Sequence, residues 1–571
     1  MKKSLSILGL LLFLFWLGGA LPGRAEMDKE SLQFDPRAYW HYACGLYAQR
    51  LGGAEDANRA LSEFNEAARY DPKSPTIHDR LAYHYYVEGL DYKSVEELQK
   101  SIDLNPDNIP TRLLLANLYA SQSEYGKAQR AYQDILKKDP KNIEARYYLA
   151  GVLANQNKTE AALDTYQQIL TDHPKTAGVY YNMGLIYTRS NQEDKAEEAF
   201  QKAIQIDPTL ESAYTSLGLV YELDQKPDKA IETYQALLKV NPDNAPTYLA
   251  LGELYYNQKQ DDQAMENFLS YVQRKPDDLS AWDYIGICHF RKKEYPEAIQ
   301  AFLKLLSNQP HNALVRYRLA AAYEASQQYP QAQEQLRAIL DNDDKSTDAW
   351  VRLAMLCDKQ KDDVGAQKAL TDGLKSNPDN TDLMLVQAMF FHEKGDMAKA
   401  EEYYRKVIQK DNKNTQAYFN LGVLLDKRGK FDESMDKMKK VIEIDPDNAE
   451  AYNYIGYSYA DKGIKLDEAK TLVEKALKLD PDNSYYLDSL GWVHYQLKDY
   501  PGAKDLLQKA VGQLKEDVKE DACIFDHLGE VFLKLGDKAQ AAAQWQKALK
   551  LDPGNQVYQD KIDKNPPDAK P

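Results

Sequence analysis

Residues 177–210 read AGVYYNMGLIYTRSNQEDKAEEAFQKAIQIDPTL, and residues 211–244 read ESAYTSLGLVYELDQKPDKAIETYQALLKVNPDN. The two segments align without a gap. Tyr180, Met183, Gly184, Tyr187, Ala196, Phe200 and Pro208 meet Tyr214, Leu217, Gly218, Tyr221, Ala230, Tyr234 and Pro242. Apolar residues recur in steps of three and four, the period of an amphipathic helix. Each segment has room for two such helices before its proline, which cannot continue the second.

Outward from this stretch the proline keeps its place. Pro72, Pro106, Pro140, Pro174, Pro208, Pro242, Pro276 and Pro310 follow one another at a constant interval, the length of the segments quoted above. The same ruler then meets Asp344, Pro378, Asn412 and Pro446. A second ruler, set before the first as Ala196 is set before Pro208, meets only Ala60, Ser94, Ala128, Ala162, Ala196, Ala230, Ala264, Ala298, Ala332, Ala366, Ala400 and Ser434. Twelve small residues in twelve places are not a matter of composition. They mark where two helices must approach closely. Asp or Asn after the proline, as in Pro446-Asp447-Asn448, predicts an N-cap for the next helix. Pro75, Pro110 and Pro246 suit the first turn of the first helix, and Pro296, Pro330 and Pro501 that of the second.

The repeating order of aromatic, Leu-Gly, aromatic, Ala, aromatic and Pro resembles the tetratricopeptide repeat, TPR, in both spacing and period. The resemblance implies an all-α solenoid of about fifteen helix-turn-helix repeats, beginning near residues 41, 75, 109, 143, 177, 211, 245, 279, 313, 347, 381, 415, 449, 484 and 522. In that family the first helix of each repeat, helix A, lines a groove that takes partner segments through its positions 2, 5, 6, 9, 12 and 13. Carried onto this chain, those positions give Tyr147, Tyr148, Tyr181, Asn182, Tyr284, Tyr317, Arg318 and Arg352, then Phe419, Asn420, Asn453, Tyr454, Tyr457, Asp488 and Trp492. Tyr and Trp dominate binding hot spots; the plainer reading is that these rings stiffen the array. Lys is absent from position 5 in every repeat, so the family's clamp for acidic carboxyl-terminal tails is not expected.

The period slips near the end. The step from Pro446 to Pro481 is longer than the others by a single residue, which falls within 462–466. A further insertion lies around Gly512 to Asp521. The expected organisation is a leader at 1–25, a lead-in at 26–40, a regular array at 41–448, modified repeats at 449–557 and a disordered tail at 558–571. Lys2 and Lys3 precede an apolar run from Leu5 to Leu17, and small residues follow at Gly23-Arg24-Ala25. This predicts a signal peptide cleaved after Ala25, the alternatives being cleavage after Ala20 and an uncleaved anchor. No cysteine stands where a lipid would attach, and no later stretch is apolar enough to span a membrane.

The formal net charge is −16. Without residues 1–25, which hold three basic residues and no acid, 69 basic residues face 88 acidic ones, or −19. That balance argues against nucleic acid as a partner. Cys44, Cys288, Cys357 and Cys523 stand far apart in sequence, with no CxxC, and read as small apolar residues. No P-loop, GxGxxG or HExxH occurs, and the nine His show no ligand spacing, so neither a cofactor nor a metal is expected. One SxxK begins at Ser434, which is a packing position. Neither 26–40 nor 558–571 could bury a catalytic core. The chain reads as a non-enzyme.

Asn453-Tyr454-Ile455-Gly456-Tyr457-Ser458-Tyr459-Ala460-Asp461, Leu487-Asp488-Ser489-Leu490-Gly491-Trp492 and Asp526-His527-Leu528-Gly529 resemble exported bacterial TPR adaptors of the outer-membrane lipoprotein type. Those adaptors serve a carboxyl-terminal processing protease. The resemblance implies a scaffold or adaptor in the periplasm, peripheral to the outer membrane, with envelope proteins as partners, a protease and its substrates among them. The alternative is a component of a secretion or polysaccharide-export machine.

Overall fold

The small residues on the second ruler decide the packing. All twelve, from Ala60 to Ser434, are at most 1% exposed. The computed structural model describes residues 35–514 and 518–566; the leader expected at 1–25, residues 26–34 of the lead-in and the end of the tail from 567 lie outside them. Among the described residues there are 31 α-helices, one short 3-10 turn and no strand. They form two compact units, one through Cys288 and one from His289. Within each, helices pack in antiparallel pairs stacked on adjacent pairs, as in a TPR-like solenoid.

One repeat explains the rest. Helix A, Ala177–Arg189, has 13 residues and helix B, Glu193–Ile206, has 14. A methyl group added to Gly184 would lie 2.6 Å from Cε1 of Phe200, a ring with no exposed surface. Gly218 stands in the same relation to Tyr234, and Gly252 to Phe268. Between the helices the chain reverses through one residue with positive φ, Asn191 at 51°, and the Gln192 N–H returns to the Tyr187 carbonyl at 3.0 Å. Several other A helices start at a side-chain cap, which helices Ala177–Arg189 and Glu211–Leu223 lack: Asn142 Oδ1 accepts from the Ala145 N–H at 2.9 Å, and Asn448 Oδ1 from the Ala451 N–H at 3.0 Å.

Both ends differ from the expected boundaries. The first helix is Pro36–Leu51, so residues 36–40 belong to it and not to a lead-in. A methyl group added to its Gly45 would lie 2.7 Å from Cε1 of Phe64, as one on Gly184 would meet Phe200. Gly45 therefore occupies position 8, a place that the regular interval gives to Ala48, and the turn at Gly52 and Gly53 takes up the difference. At the other end residues 556–564 form a helix, so the chain is not disordered from 558. Tyr558 is buried there, and Lys561 Nζ donates to Asp526 Oδ1 at 2.7 Å and pairs with Glu530 Oε1 at 2.8 Å. The extra residue expected within 462–466 coincides with a turn in which Gly463 and Lys465 both have positive φ.

The close approach gives a direct test. Gly184→Ala should destabilise the chain by about 1–3 kcal/mol, because the Phe200 ring has nowhere to move. Gly126→Ala, in a helix but with open space around the added methyl, should leave the thermal midpoint unchanged or raise it. Equal effects of the two in thermal melts would mean that the glycine contact does not set the helix spacing.

Candidate partner-binding site

The aromatic residues of positions 5 and 6 are held by their neighbours. Tyr147 and Tyr148 on helix Ile143–Asn155, and Tyr181 and Asn182 on helix Ala177–Arg189, are all half-buried. Asn182 Nδ2 donates to the hydroxyls of Tyr147 at 2.8 Å and Tyr166 at 3.1 Å, tying two repeats together. Tyr147 meets Tyr166 and Tyr148 edge-on at 5.8 and 5.6 Å, Tyr148 stacks on Tyr132 at 6.2 Å, and Tyr181 lies tilted against Phe200 at 5.8 Å. Burial pushes the phenols of Tyr147 and Tyr148 above their usual range. These rings line the helix A face and close gaps beneath it at once. Tyr284 follows suit: it stacks on Phe268 at 4.8 Å and donates to Glu253 Oε1 at 3.2 Å.

In the second unit Tyr317, Arg318 and Arg352 lie on adjacent A helices, with the Arg352 guanidinium 5.4 Å over the Tyr317 ring and the Tyr317 hydroxyl 2.9 Å from Ser346 Oγ. Arg352 is exposed and Arg318 half-buried. Phe419 packs edge-on against Tyr454 at 5.9 Å, Asn420 Oδ1 accepts from Gln416 Nε2 at 3.1 Å, and the Tyr454 hydroxyl donates to Asp426 Oδ2 at 3.0 Å. Asn453 and Tyr457 are half-buried on helix Ala449–Asp461.

Asp488 and Trp492 belong to a tighter group. Asp488 is buried, and its carboxylate accepts from His527 Nδ1 on helix Ala522–Lys534 at 2.9 Å. The His527 ring stacks on Trp492 at 4.2 Å, Trp492 on Tyr495 at 4.5 Å, and Tyr457 lies 6.2 Å from His527. Burial works against a charged imidazole, but the Asp488 carboxylate outweighs it, so His527 titrates above its ordinary 6.5. Cys523 sits one turn before His527, an arrangement that invites a nucleophile reading. Burial pushes its thiol up to about 12, aided by the Asp488 charge, which is the wrong direction for a reactive thiolate. Ser434, the start of the SxxK, is fully buried. Among the described residues no group of three or more His, Cys, Asp and Glu could hold a metal ion, and no helix is long and apolar enough to cross a membrane.

Position 9 holds what the aromatic reading passed over. Leu185 and Leu219 are exposed on consecutive A helices of the first unit, and Met355 and Met389 on consecutive A helices of the second. The members of each pair stand one repeat length apart, so the ruler itself could have found them. Leu185 lies one turn beyond Tyr181, and Met355 lies close to Arg352 on the same face. Met355 is 63% exposed, more open than any of the proposed tyrosines. These side chains, rather than the rings, present free apolar surface.

Family models of the tetratricopeptide repeat match residues 113–177, 455–517 and 522–555. The chain is a tetratricopeptide-repeat protein. Such proteins generally serve as non-catalytic scaffolds that bind partner proteins. Two longer matches to this TPR chain are to the C-terminal domain of cilia and flagella-associated protein 70, over residues 243–453, and to its middle TPR-like domain, over 147–274. These are models of a protein of cilia and flagella and not of the bacterial periplasm, and the expected periplasmic location is corrected on that ground. No curated protein matches. Similar solved structures include the Cut9–Hcn1 hetero-tetramer of the APC/C (16% identity, 87% of this chain and 98% of that one, TM-score 0.36). Others are a tetratricopeptide-repeat protein from Parabacteroides merdae (18%, 44% and 99%, 0.31) and MamA protein (26%, 31% and 96%, 0.28).

The His527–Asp488 pair sets a pH dependence. A pKa raised in the folded state means that the pair's stabilisation is complete below pH 6.5 and is lost as pH rises through the folded value. An NMR titration should place the His527 midpoint above 6.5, and Asp488→Asn should lower it, since burial and the Lys561 charge are then opposed only by Asp526. A midpoint indifferent to that substitution would show that the carboxylate does not hold the proton.

Proposed function

We propose that this TPR protein is a scaffold without catalysis of its own, which holds a segment of a partner protein along the A-helix face through the exposed apolar residues of position 9. The carrying observation is the register of Leu185 with Leu219 and of Met355 with Met389, open side chains repeated at the spacing of the array. Ordered apolar surface of this kind marks interaction sites, and methionine adapts to irregular partner surfaces. Within the first unit Tyr181 stands one turn before Leu185, and within the second Tyr317 lies under Arg352, itself one turn before Met355. The acidic balance of the chain supports protein rather than nucleic acid as the ligand. The motifs 453–461, 487–492 and 526–529 support a finer form of this reading, an adaptor that brings a protease and its substrates together.

Crosslinking of a tagged copy in its native cells, with mass spectrometry of the joined peptides, tests the assignment. Joined peptides should map to the A helices that carry Leu185, Leu219, Met355 and Met389. Met355→Asp and Met389→Asp should each weaken a partner held there by roughly 30-fold, at about 2 kcal/mol per hot spot. The thermal midpoint should stay within about 1 °C of the parent, because both side chains are exposed. Tyr147→Ala should by contrast lower stability as well, since its ring fills space against Tyr166. Partner capture that survives the aspartates at both pairs would move the site off position 9.

A further inference from the structure

The first helix, Pro36–Leu51, shows what every later A helix hides. With Gly45 at position 8, Trp40, Cys44 and Tyr47 take positions 3, 7 and 10. In the repeats beginning at 143 and 177 the same positions are Ala145, Leu149 and Val152, then Val179, Met183 and Ile186, all buried against the preceding repeat. In the first helix Trp40 is 68% and Tyr47 62% exposed, Leu51 one turn further is exposed, and Tyr39 stands open beside Trp40. Among the described residues no other helix exposes four large apolar side chains. Isolated exposed leucines need no explanation; a contiguous aromatic stripe on a stacking face does.

The spacing of the stripe names its occupant. Trp40, Cys44, Tyr47 and Leu51 follow one another in steps of four, three and four, the seam along which one helix packs another. The sequence of steps is symmetric about its centre. Two such helices set antiparallel place Trp40 against the other copy's Leu51 and Cys44 against its Tyr47, and a two-fold axis satisfies both helices with one surface. The helix carries no acid; Arg37 is paired with Asp35, and Arg50 lies at the rim. Local repulsion between two acidic chains is therefore low on this face. The face is also continuous in kind with the stacking surface inside the array, so what fits it is a helix pair of the same type.

We propose that the Trp40–Cys44–Tyr47–Leu51 stripe is a self-association surface, on which a second copy of this chain docks its own first helix antiparallel. One helix face is a small interface, and a dissociation constant of roughly 10 µM is the scale expected. Sedimentation of the purified chain from about 1 to 100 µM, two decades spanning that constant, should show a monomer–dimer equilibrium. Trp40→Glu and Tyr47→Glu should each shift it to monomer by about 10-fold or more while helicity and thermal midpoint stay near those of the parent, and Leu219→Glu should leave it unchanged. Hydrogen exchange should slow over residues 36–51 as concentration rises. A chain that stays monomeric at about 100 µM overturns the proposal. If residues 36–51 are then protected at every concentration, a segment of the same chain covers the stripe. A dimer that survives both glutamates overturns it as well.

Discussion

A close approach of helix A to helix B, at a small residue in position 8, sets the geometry of the helix pairs here. Where Gly184 lies under Phe200, or Gly218 under Tyr234, the absence of one methyl group lets helix B settle onto helix A. The alanine or serine at position 20 does the same from the other helix, with no exposed surface to spare. Once that distance is fixed, the residues at positions 7 and 10 meet the preceding repeat, and the next helix A begins in register, with an asparagine cap in repeats such as those at 143 and 449. Removing a contact of this kind would disturb both the pair and its neighbours, because interiors packed to crystal-like density have little room to relax.

The same economy shapes the surface. Side chains at positions 5 and 6 reach across to the adjacent repeat, as Asn182 does to Tyr147 and His527 to Asp488. They are thus committed to holding A helices in register. At position 9, Leu185, Leu219, Met355 and Met389 stand exposed on that face, whereas Glu253 and Trp492 at the same position hold neighbours, one accepting from Tyr284 and the other stacking on His527. A chain built this way separates what keeps it folded from what it offers to a partner within a single helical turn.

Much of this was legible from the residues. The two rulers gave the helix pairs, their turns and their caps because each repeat obeys the same local physics. Three things escaped for physical reasons. Ala48 satisfied the ruler at the first repeat, so the use of Gly45 one turn earlier stayed hidden until the Phe64 ring was seen to rest on it. His527 and Asp488 hold positions 6 and 5 of neighbouring repeats, but the insertion before Ala522 stretches the step between them and masks their register. And a repeat position says which face a tyrosine is on, but not that the Tyr147 ring lies wedged against Tyr166. The leader-like residues at the start suggested a periplasmic address, which family matches elsewhere in the chain overturned.

Packing that runs only from one helix pair to the next also has a mechanical side. Under a stretching force each unit can yield from an end, one pair at a time, with the remaining pairs still seated on one another. Each pair that lets go releases one repeat length of chain, roughly 115 Å when extended at about 3.4 Å per residue. A tether of this design lengthens in equal steps rather than failing at once.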